Sequence, residues 1–496
     1  MFKGESIELG GAIFEGDCQS ECMVKLPLKT LNRHGLIAGA TGTGKTVTVQ
    51  ILSEQLSQKS IPVLLMDLKG DLSGLAQPGK INDHIKERHQ KIGIPYSPAV
   101  MPVELLSISD EPGVRLRATV SEFGPILLSK ILDLNDTQSG IISVLFKFCD
   151  NEKLPLLDLK DLKKILQYAI GEGKQQIEQH YGRIAESSVT TILRKTIELE
   201  QQGGDYFFGE RSFDVEDLLR TDSNGRGMIS IIRLTDIQDQ PKLFSTFMLC
   251  LLAEIYSRFP EEGDLNRPKL VIFFDEAHLI FSEASKALLS QIETIVKLIR
   301  SKGVGIFFCT QNPTDIPDAV LSQLGLKVQH ALRAFTARDR KMIKKTAENY
   351  PISDFYNTSD VLTSLGIGEA LVTALNEKGI PTPLAATHLR APATRMGILN
   401  ESEMLQLVDN SPLIPIYNQH IDRQSAYEIL NAKIATAIPQ TNGSITSPPE
   451  ANTSSLGFDT LEALSKNTMA RQLGRTVVRE VTRSLLGVLG LSKKSK

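Results

Sequence analysis

The 496-residue chain has no run near the roughly 18 consecutive apolar residues that a membrane-spanning helix needs. Its opening, Met1-Phe-Lys-Gly-Glu-Ser6, has none of the apolar core of a secretory leader. Cysteine is sparse: Cys18, Cys22, Cys149, Cys250 and Cys309, mostly in apolar runs. Cys18 and Cys22 form a C-x3-C pair with no second pair to complete a zinc site. Thiols scattered this way suit a reduced, cytoplasmic protein. Positive charge is not in excess either. Lys and Arg total 55 against 58 Asp and Glu, a formal net charge of −3, so any nucleic-acid contact has to come from local patches. No internal repeat is visible. What the chain does have is an ordinary 41% of hydrophobic residues and a length too great for one core, about two to four structural units.

One octapeptide organises the rest. Gly39, Ala40, Thr41, Gly42, Thr43, Gly44, Lys45 and Thr46 match G-x-x-x-x-G-K-[ST], the phosphate-binding P-loop. His34-Gly-Leu-Ile-Ala38 before it reads as a short buried strand, and Val47 to Ser57 after it as an amphipathic helix. Strand, glycine loop and helix are the setting the motif requires. There, backbone N–H groups curl round phosphate oxygens at a helix N-terminus. Lys45 is expected to reach the β- and γ-phosphates of ATP, and the Thr46 hydroxyl to hold Mg2+. Leu270-Val-Ile-Phe-Phe-Asp275-Glu276 supplies the second half, an apolar strand ending in two acids. Asp275 is expected on Mg2+ and Glu276 as the general base that polarises the attacking water. Adjacent strand residues point to opposite faces, so the two acids take different roles. His278, next but one, is open between a structural and a functional part. The strand Gly305 to Gln311 leads into Asn312-Pro313, and the Gln311 amide is a candidate sensor of γ-phosphate or water. Asp67 and Asp71 flank Lys69-Gly70 at the end of another strand; they tune the nucleotide site, line a subunit boundary or form a plain turn.

Periodicity sets the fold class. Buried strands at Ile61 to Asp67, Val103 to Ile108, Gly227 to Leu234, Lys269 to Asp275 and Gly305 to Gln311 alternate with helices such as Pro241 to Phe259 and Ser282 to Lys302. Apolar strands joined by long helices predict an α/β, RecA-like P-loop NTPase core with a mostly parallel sheet, plus a helical insertion. The expected divisions are an N-terminal β cap over 1–30, the core over 31–124 and 220–432, and the insertion over 125–219. A flexible linker over 433–457 and a basic C-terminal helix over 458–496 follow.

The P-loop, the Asp275-Glu276 strand and the Gln311-terminated strand leading to Leu321-Ser-Gln-Leu-Gly325 together resemble the HerA/FtsK class of hexameric DNA-pumping ATPases. Within it the chain is similar to an uncharacterised bacterial HerA-like helicase family. That resemblance is carried by Leu64-Leu-Met-Asp-Leu-Lys-Gly-Asp-Leu-Ser-Gly74, Arg117 to Pro125, Val328 to Arg338 and Ala470-Arg-Gln-Leu-Gly-Arg475, and it runs through most of the chain. It implies a homo-hexameric ring in which an arginine of one subunit completes the ATP site of the next. Arg338, then Arg333, are the candidates here, against the plainer reading of a solvated helix face. The resemblance also implies double-stranded DNA held through phosphate contacts, and a partner nuclease or other effector. One departure bears on that partner: HerA proteins dock a nuclease on an N-terminal β-barrel, and only about 30 residues precede the P-loop strand here.

Residues 466–496 carry eight basic residues against Glu480, a local charge of about +7. Arg471, Arg475, Arg479 and Arg483 recur every fourth position, stacking along one helical stripe. Phosphate backbone, an anionic membrane surface, an acidic patch of the same ring and plain packing all fit such a stripe. The expected function is an ATP-hydrolysing, ring-forming DNA translocase or helicase-like motor. The alternative is a regulatory or scaffold ATPase ring that holds a partner enzyme without moving DNA.

Overall fold

A computed structural model describes residues 4–437 apart from 238–239, 264, 283–285, 420 and 422. The described residues divide into two compact units, one within 4–118 and 201–421, the other within 119–200 and 423–437.

The first unit is built on one sheet of twelve strands. They are β1 (Ser6–Phe14), β2 (Asp17–Pro27), β3 (Gly35–Ala38), β4 (Val63–Asp67), β5 (Val103–Ser107), β6 (Val114–Arg115), β7 (Ile229–Arg233), β8 (Leu270–Phe274), β9 (Val304–Thr310), β10 (Leu326–His330), β11 (Glu369–Thr373) and β12 (Ala385–Leu389). Their order is β2-β1-β12-β11-β10-β3-β9-β8-β4-β7-β5-β6. From β10 to β6 every neighbouring pair is parallel; from β10 outward through β11, β12, β1 and β2 every pair is antiparallel. This is the α/β, mostly parallel P-loop core expected from the strand–helix alternation.

The parallel strands have no exposed face. All residues of β3, β4, β5, β8 and β9 are buried, as expected when helices cover both sides of a parallel sheet. The Phe273 and Phe307 ring centroids lie 5.0 Å apart, and those of Phe274 and Phe308 5.5 Å, fastening β8 to β9 across the sheet's two faces. Register then brings the strand ends level: Ala38 pairs with Thr310, Phe308 with Phe274, and Phe274 with Met66. Because β9 lies between β3 and β8, Thr310 emerges between the P-loop and the acid pair.

β1 and β2 lie in the segment expected as an N-terminal β cap, and they hydrogen-bond into the main sheet through β12. Ile7 and Leu9 are buried in the same core as Val49, Leu52 and Leu56 of the helix after the P-loop. Residues 205–219 likewise belong with the sheet unit: Ala118 N–H donates to Phe207 O at 3.1 Å, and Phe213 N–H to Arg117 O at 2.9 Å.

The second unit is helical, with Val120–Ile131, Asp136–Glu152, Leu159–Ile170, Lys174–Tyr181, Glu186–Leu199 and Ala426–Ala437. Thr119 with Glu122, Asn135 with Gln138 and Asp158 with Asp161 each form a reciprocal capping box, which fixes three of the starts. Leu128, Ile142, Leu145, Leu162, Ile165 and Ile192 are buried. The last helix is tied in by Tyr427 N–H, which donates to Asp161 Oδ1 at 2.8 Å. That helix covers 433–437, the first residues assigned to a linker; the rest of the linker and the basic tail lie outside the described residues. Among the described residues no helix is long and apolar enough to cross a membrane.

Candidate functional site

The P-loop leaves β3 at Ala38 and enters the helix Lys45–Gln58. Gly39 has φ +151°, and a Cβ there would sit 2.5 Å from the His330 Cβ. Gly44, at φ +115°, caps the helix in a conformation that a side chain disfavours. The loop is held at three points: Gly39 N–H donates to Thr310 O at 3.3 Å, Ala40 N–H to Ala331 O at 2.9 Å, and Gly368 N–H to Thr43 O at 3.0 Å. Beneath it, His330 is buried, with Nε2 2.9 Å from Thr48 Oγ1. Burial and the Lys45 charge lower its pKa to about 4, so the ring is neutral and adds no charge under the loop.

Lys45 is buried and donates through Nζ to Gly39 O at 2.7 Å and Ala40 O at 3.2 Å. Burial and the neighbouring Lys69 ammonium lower its pKa; Glu276 and Asp275 oppose them. Thr46 donates through Oγ1 to Asp71 Oδ2 at 3.2 Å. Asp67, at the end of β4, is fully buried and shapes the turn that follows. Its Oδ1 accepts from Gly70 N–H at 2.8 Å and Asp71 N–H at 3.2 Å, and its Oδ2 from Leu72 N–H at 3.0 Å. The Asp67-Leu-Lys-Gly-Asp71 turn therefore folds on its own first carboxylate and swings Asp71 toward Thr46.

Asp275 follows β8 and donates its N–H to Met66 O at 3.2 Å, which sets it beside Asp67. Burial pushes its carboxyl up to about 6, with Lys69 working against that rise. Asp67 is pushed up to about 7, again chiefly by burial, with Asp71 and Asp275 adding to it. One carboxylate oxygen from each of Asp67, Asp71 and Asp275 lies within 4.8 Å of the others. Asp71 Oδ1 and Asp275 Oδ2 are buried without a hydrogen-bond partner. Three clustered carboxylates, two of them carrying an unsatisfied oxygen, next to the Thr46 hydroxyl fit a divalent cation such as Mg2+.

Glu276 is buried at φ +44°, an uncommon conformation for a residue with a Cβ. Its carboxylate is ion-paired with the Lys69 ammonium, and its Oε2 lies 3.2 Å from His278 Nδ1. Burial works against the Lys69 charge, but Glu276, Asp275 and Asp71 outweigh it and raise the Lys69 pKa.

The structure thus gathers Lys45, Thr46, Asp275 and Glu276 at one edge of the sheet. Thr310 ends β9 with its Oγ1 donating to Asp315 Oδ2 at 2.8 Å; Gln311 follows it and is exposed. Arg333 and Arg338 are exposed, Arg338 in the first turn of the helix Ala337–Glu348, away from any ion pair among the described residues. Lys69 was missed as a member of the site. The signal was there: it stands two residues beyond a strand whose end faces the P-loop. Its partner Glu276 is 207 positions away, however, and only the pairing of β4 with β8 brings them together.

A glycine loop at the start of a helix, a buried lysine, and acids at the ends of adjoining parallel strands define a P-loop ATPase. The chain belongs to the family described as Helicase HerA-like C-terminal, which matches residues 14–494. It is similar to the DNA double-strand break repair helicase HerA of Sulfolobus acidocaldarius, 24% identical over 384 residues, covering 73% of this chain and 66% of that protein. It is also similar to a probable helicase of Methanocaldococcus jannaschii, 26% identical over 411 residues, covering 77% of this chain and 70% of that protein. The chain therefore spans about two thirds of the length of these relatives. Among solved structures, VirB4 of Thermoanaerobacter pseudethanolicus shares the fold with a TM-score of 0.50 at 15% identity, over 79% of this chain and 98% of that one.

Proposed function

We propose that the protein is an ATP-driven motor on double-stranded DNA that works as a ring of identical subunits, six by resemblance to its class. The observation that carries the reading is the convergence of Lys45, Thr46, Asp275 and Glu276 where β3, β9 and β8 end. Lys45 reaches the β- and γ-phosphates from its post on Gly39 O and Ala40 O. Thr46, Asp275 and Asp71 would hold Mg2+, with Asp67 behind them. The cation would neutralise charge on the phosphate oxygens. Glu276 takes a proton from water as the water oxygen bonds to the γ-phosphorus, and the bond to the β–γ bridging oxygen breaks to release ADP. Lys69 orients that carboxylate. Gln311 senses the γ-phosphate, and Arg338 or Arg333 completes the site of an adjacent subunit; the exposure of the two arginines supports a role outside their own subunit's core.

DNA enters the reading through the family and the helicases it resembles. Steady-state ATP hydrolysis with and without linear duplex DNA at low salt tests it, with Glu276→Gln as the blank. Several-fold stimulation by duplex that fades as salt rises is the expected result. Hydrolysis indifferent to DNA would sink the motor. It would favour the second reading, a regulatory ring, for which the separately packed helical unit supplies a docking body.

A further inference from the structure

A cavity of about 430 Å3 opens at the N-terminal ends of β3, β9 and β10, the sheet edge opposite the P-loop. β3 alone separates the two, four residues or about 13 Å of extended chain. Arg33, Lys297, Arg300 and Lys327 line it, and no carboxylate does. Among the described residues none of the four belongs to an ion pair.

Two of the four cations are held in place, Arg33 and Lys327, while Lys297 is exposed. Arg33 lies over Gly379, where a Cβ would come within 2.3 Å of its Nη1; that glycine, at φ +77°, leaves the guanidinium its room. Lys327 donates to Asn349 O at 2.8 Å and stands 5.6 Å from the Tyr350 ring centroid. Arg300 opens the short turn that follows the helix Lys286–Ile299. Between them His34 is buried and adds no charge: its Nδ1 accepts from Ile306 N–H at 3.0 Å, so Nε2 carries the proton and donates to Val296 O at 2.8 Å.

Four like charges around one cavity repel one another, and a bound polyanion reverses the sign of that interaction. Guanidinium and ammonium groups bind phosphate through charge-assisted hydrogen bonds, and the Gln323 and Asn349 side chains add donors. The volume suits a compact ligand. We propose that this cavity is a second anion site, distinct from the P-loop, that takes a compact phosphate-bearing ligand. The phosphates come either from a free polyphosphate or from the phosphorylated end of a nucleic-acid strand.

The test uses the full chain carrying Lys45→Ala, which removes the P-loop ammonium. Inorganic triphosphate is titrated calorimetrically into this protein and into Lys45→Ala with Lys297→Glu and Arg300→Glu added. Binding to the first, at least tenfold weaker to the second, is expected. No binding to the first, or equal binding to both, would overturn the site. A milder Lys297→Gln, Arg300→Gln pair, with its thermal midpoint measured alongside, has to weaken binding at an unchanged midpoint; loss of binding only in unfolded protein would also overturn it. A second arm compares 5′-phosphorylated with 5′-hydroxyl single strands. A preference for the phosphorylated end that the Lys297→Glu, Arg300→Glu pair abolishes assigns the site to strand ends. Triphosphate binding without that preference assigns it to a free polyphosphate. ATP hydrolysis by the charge-reversed protein with Lys45 intact is expected to stay at the wild-type basal level.

Discussion

Glu54 lies in the helix that starts at the P-loop lysine, and its side chain is almost completely shut off from solvent. Its carboxylate accepts from Ala393 N–H at 2.9 Å, from Thr394 N–H at 3.2 Å and from Thr394 Oγ1 at 3.3 Å, tying that helix to the segment after β12. Burial pushes its pKa from 4.5 up to about 7, against the pull of the Ala393 N–H and Arg390. The native state therefore holds the proton over a range where the unfolded chain has lost it, and stability falls as pH rises from about 4.5 to about 7. Each tenfold change in proton affinity is worth about 1.4 kcal/mol, so the full penalty once ionised is about 3.5 kcal/mol. Glu54→Gln removes the titration and costs a fixed amount for the altered hydrogen bonds. Relative to wild type, the variant is expected to gain about 2.5 kcal/mol between pH 5 and pH 8. Urea-unfolding midpoints of both proteins at pH 5, 6, 7 and 8 measure this. Parallel stability curves would show that Glu54 is ionised in the native state throughout, and the burial argument would fail.

Lys45→Ala is expected to weaken ATP binding at least tenfold, read by equilibrium titration, while the thermal midpoint in the absence of nucleotide changes little. Glu276→Gln should bind ATP within a few-fold of wild type yet turn over at least 100-fold more slowly; wild-type hydrolysis in that protein would remove Glu276 from the role of base. Lys69→Met leaves Lys45 as the remaining neighbouring cation for Asp275 and Glu276. Turnover is expected to drop at least tenfold with little change in ATP affinity, and Lys69→Arg to recover part of it; unaltered turnover in Lys69→Met counts against the orienting contact. Gly39→Ala puts a methyl 2.5 Å from the His330 Cβ at φ +151°, and a loss of about 2 kcal/mol or more in unfolding measurements, together with lost nucleotide affinity, is expected.

The parallel half of the sheet was readable because β4, β8 and β9 are buried on both faces and appear as unbroken apolar runs. The antiparallel half was harder. β1 and β12 contain glycine, threonine and histidine, and β2 alternates too weakly to say which strand it joins. Lys45, Thr46, Asp275 and Glu276 stand in local patterns whose chemistry is tied to spacing. The Asp67–Asp71 turn left three readings open, because its meaning depends on a carboxylate folding back on Gly70 and Leu72 and on Asp275 arriving from β8. Lys69 and His330 gain their neighbours only through strand pairings more than 200 residues apart in sequence. The basic cavity was equally hidden, its four cations coming from four separate elements.

Both borders of the twelve-strand sheet are poor templates for another strand. β6 offers only two residues, and β2 carries Asp17, Glu21 and Lys25 and is bent by irregularities in its pairing with β1 between Glu8 and Gly10 and between Gly11 and Ala12. Among the described residues the folded sheet therefore offers little unpaired strand backbone on which a second copy could zip up. For the same reason, contact between copies through the described part of this sheet would fall to side chains on loops and helices, where charge and shape set the fit.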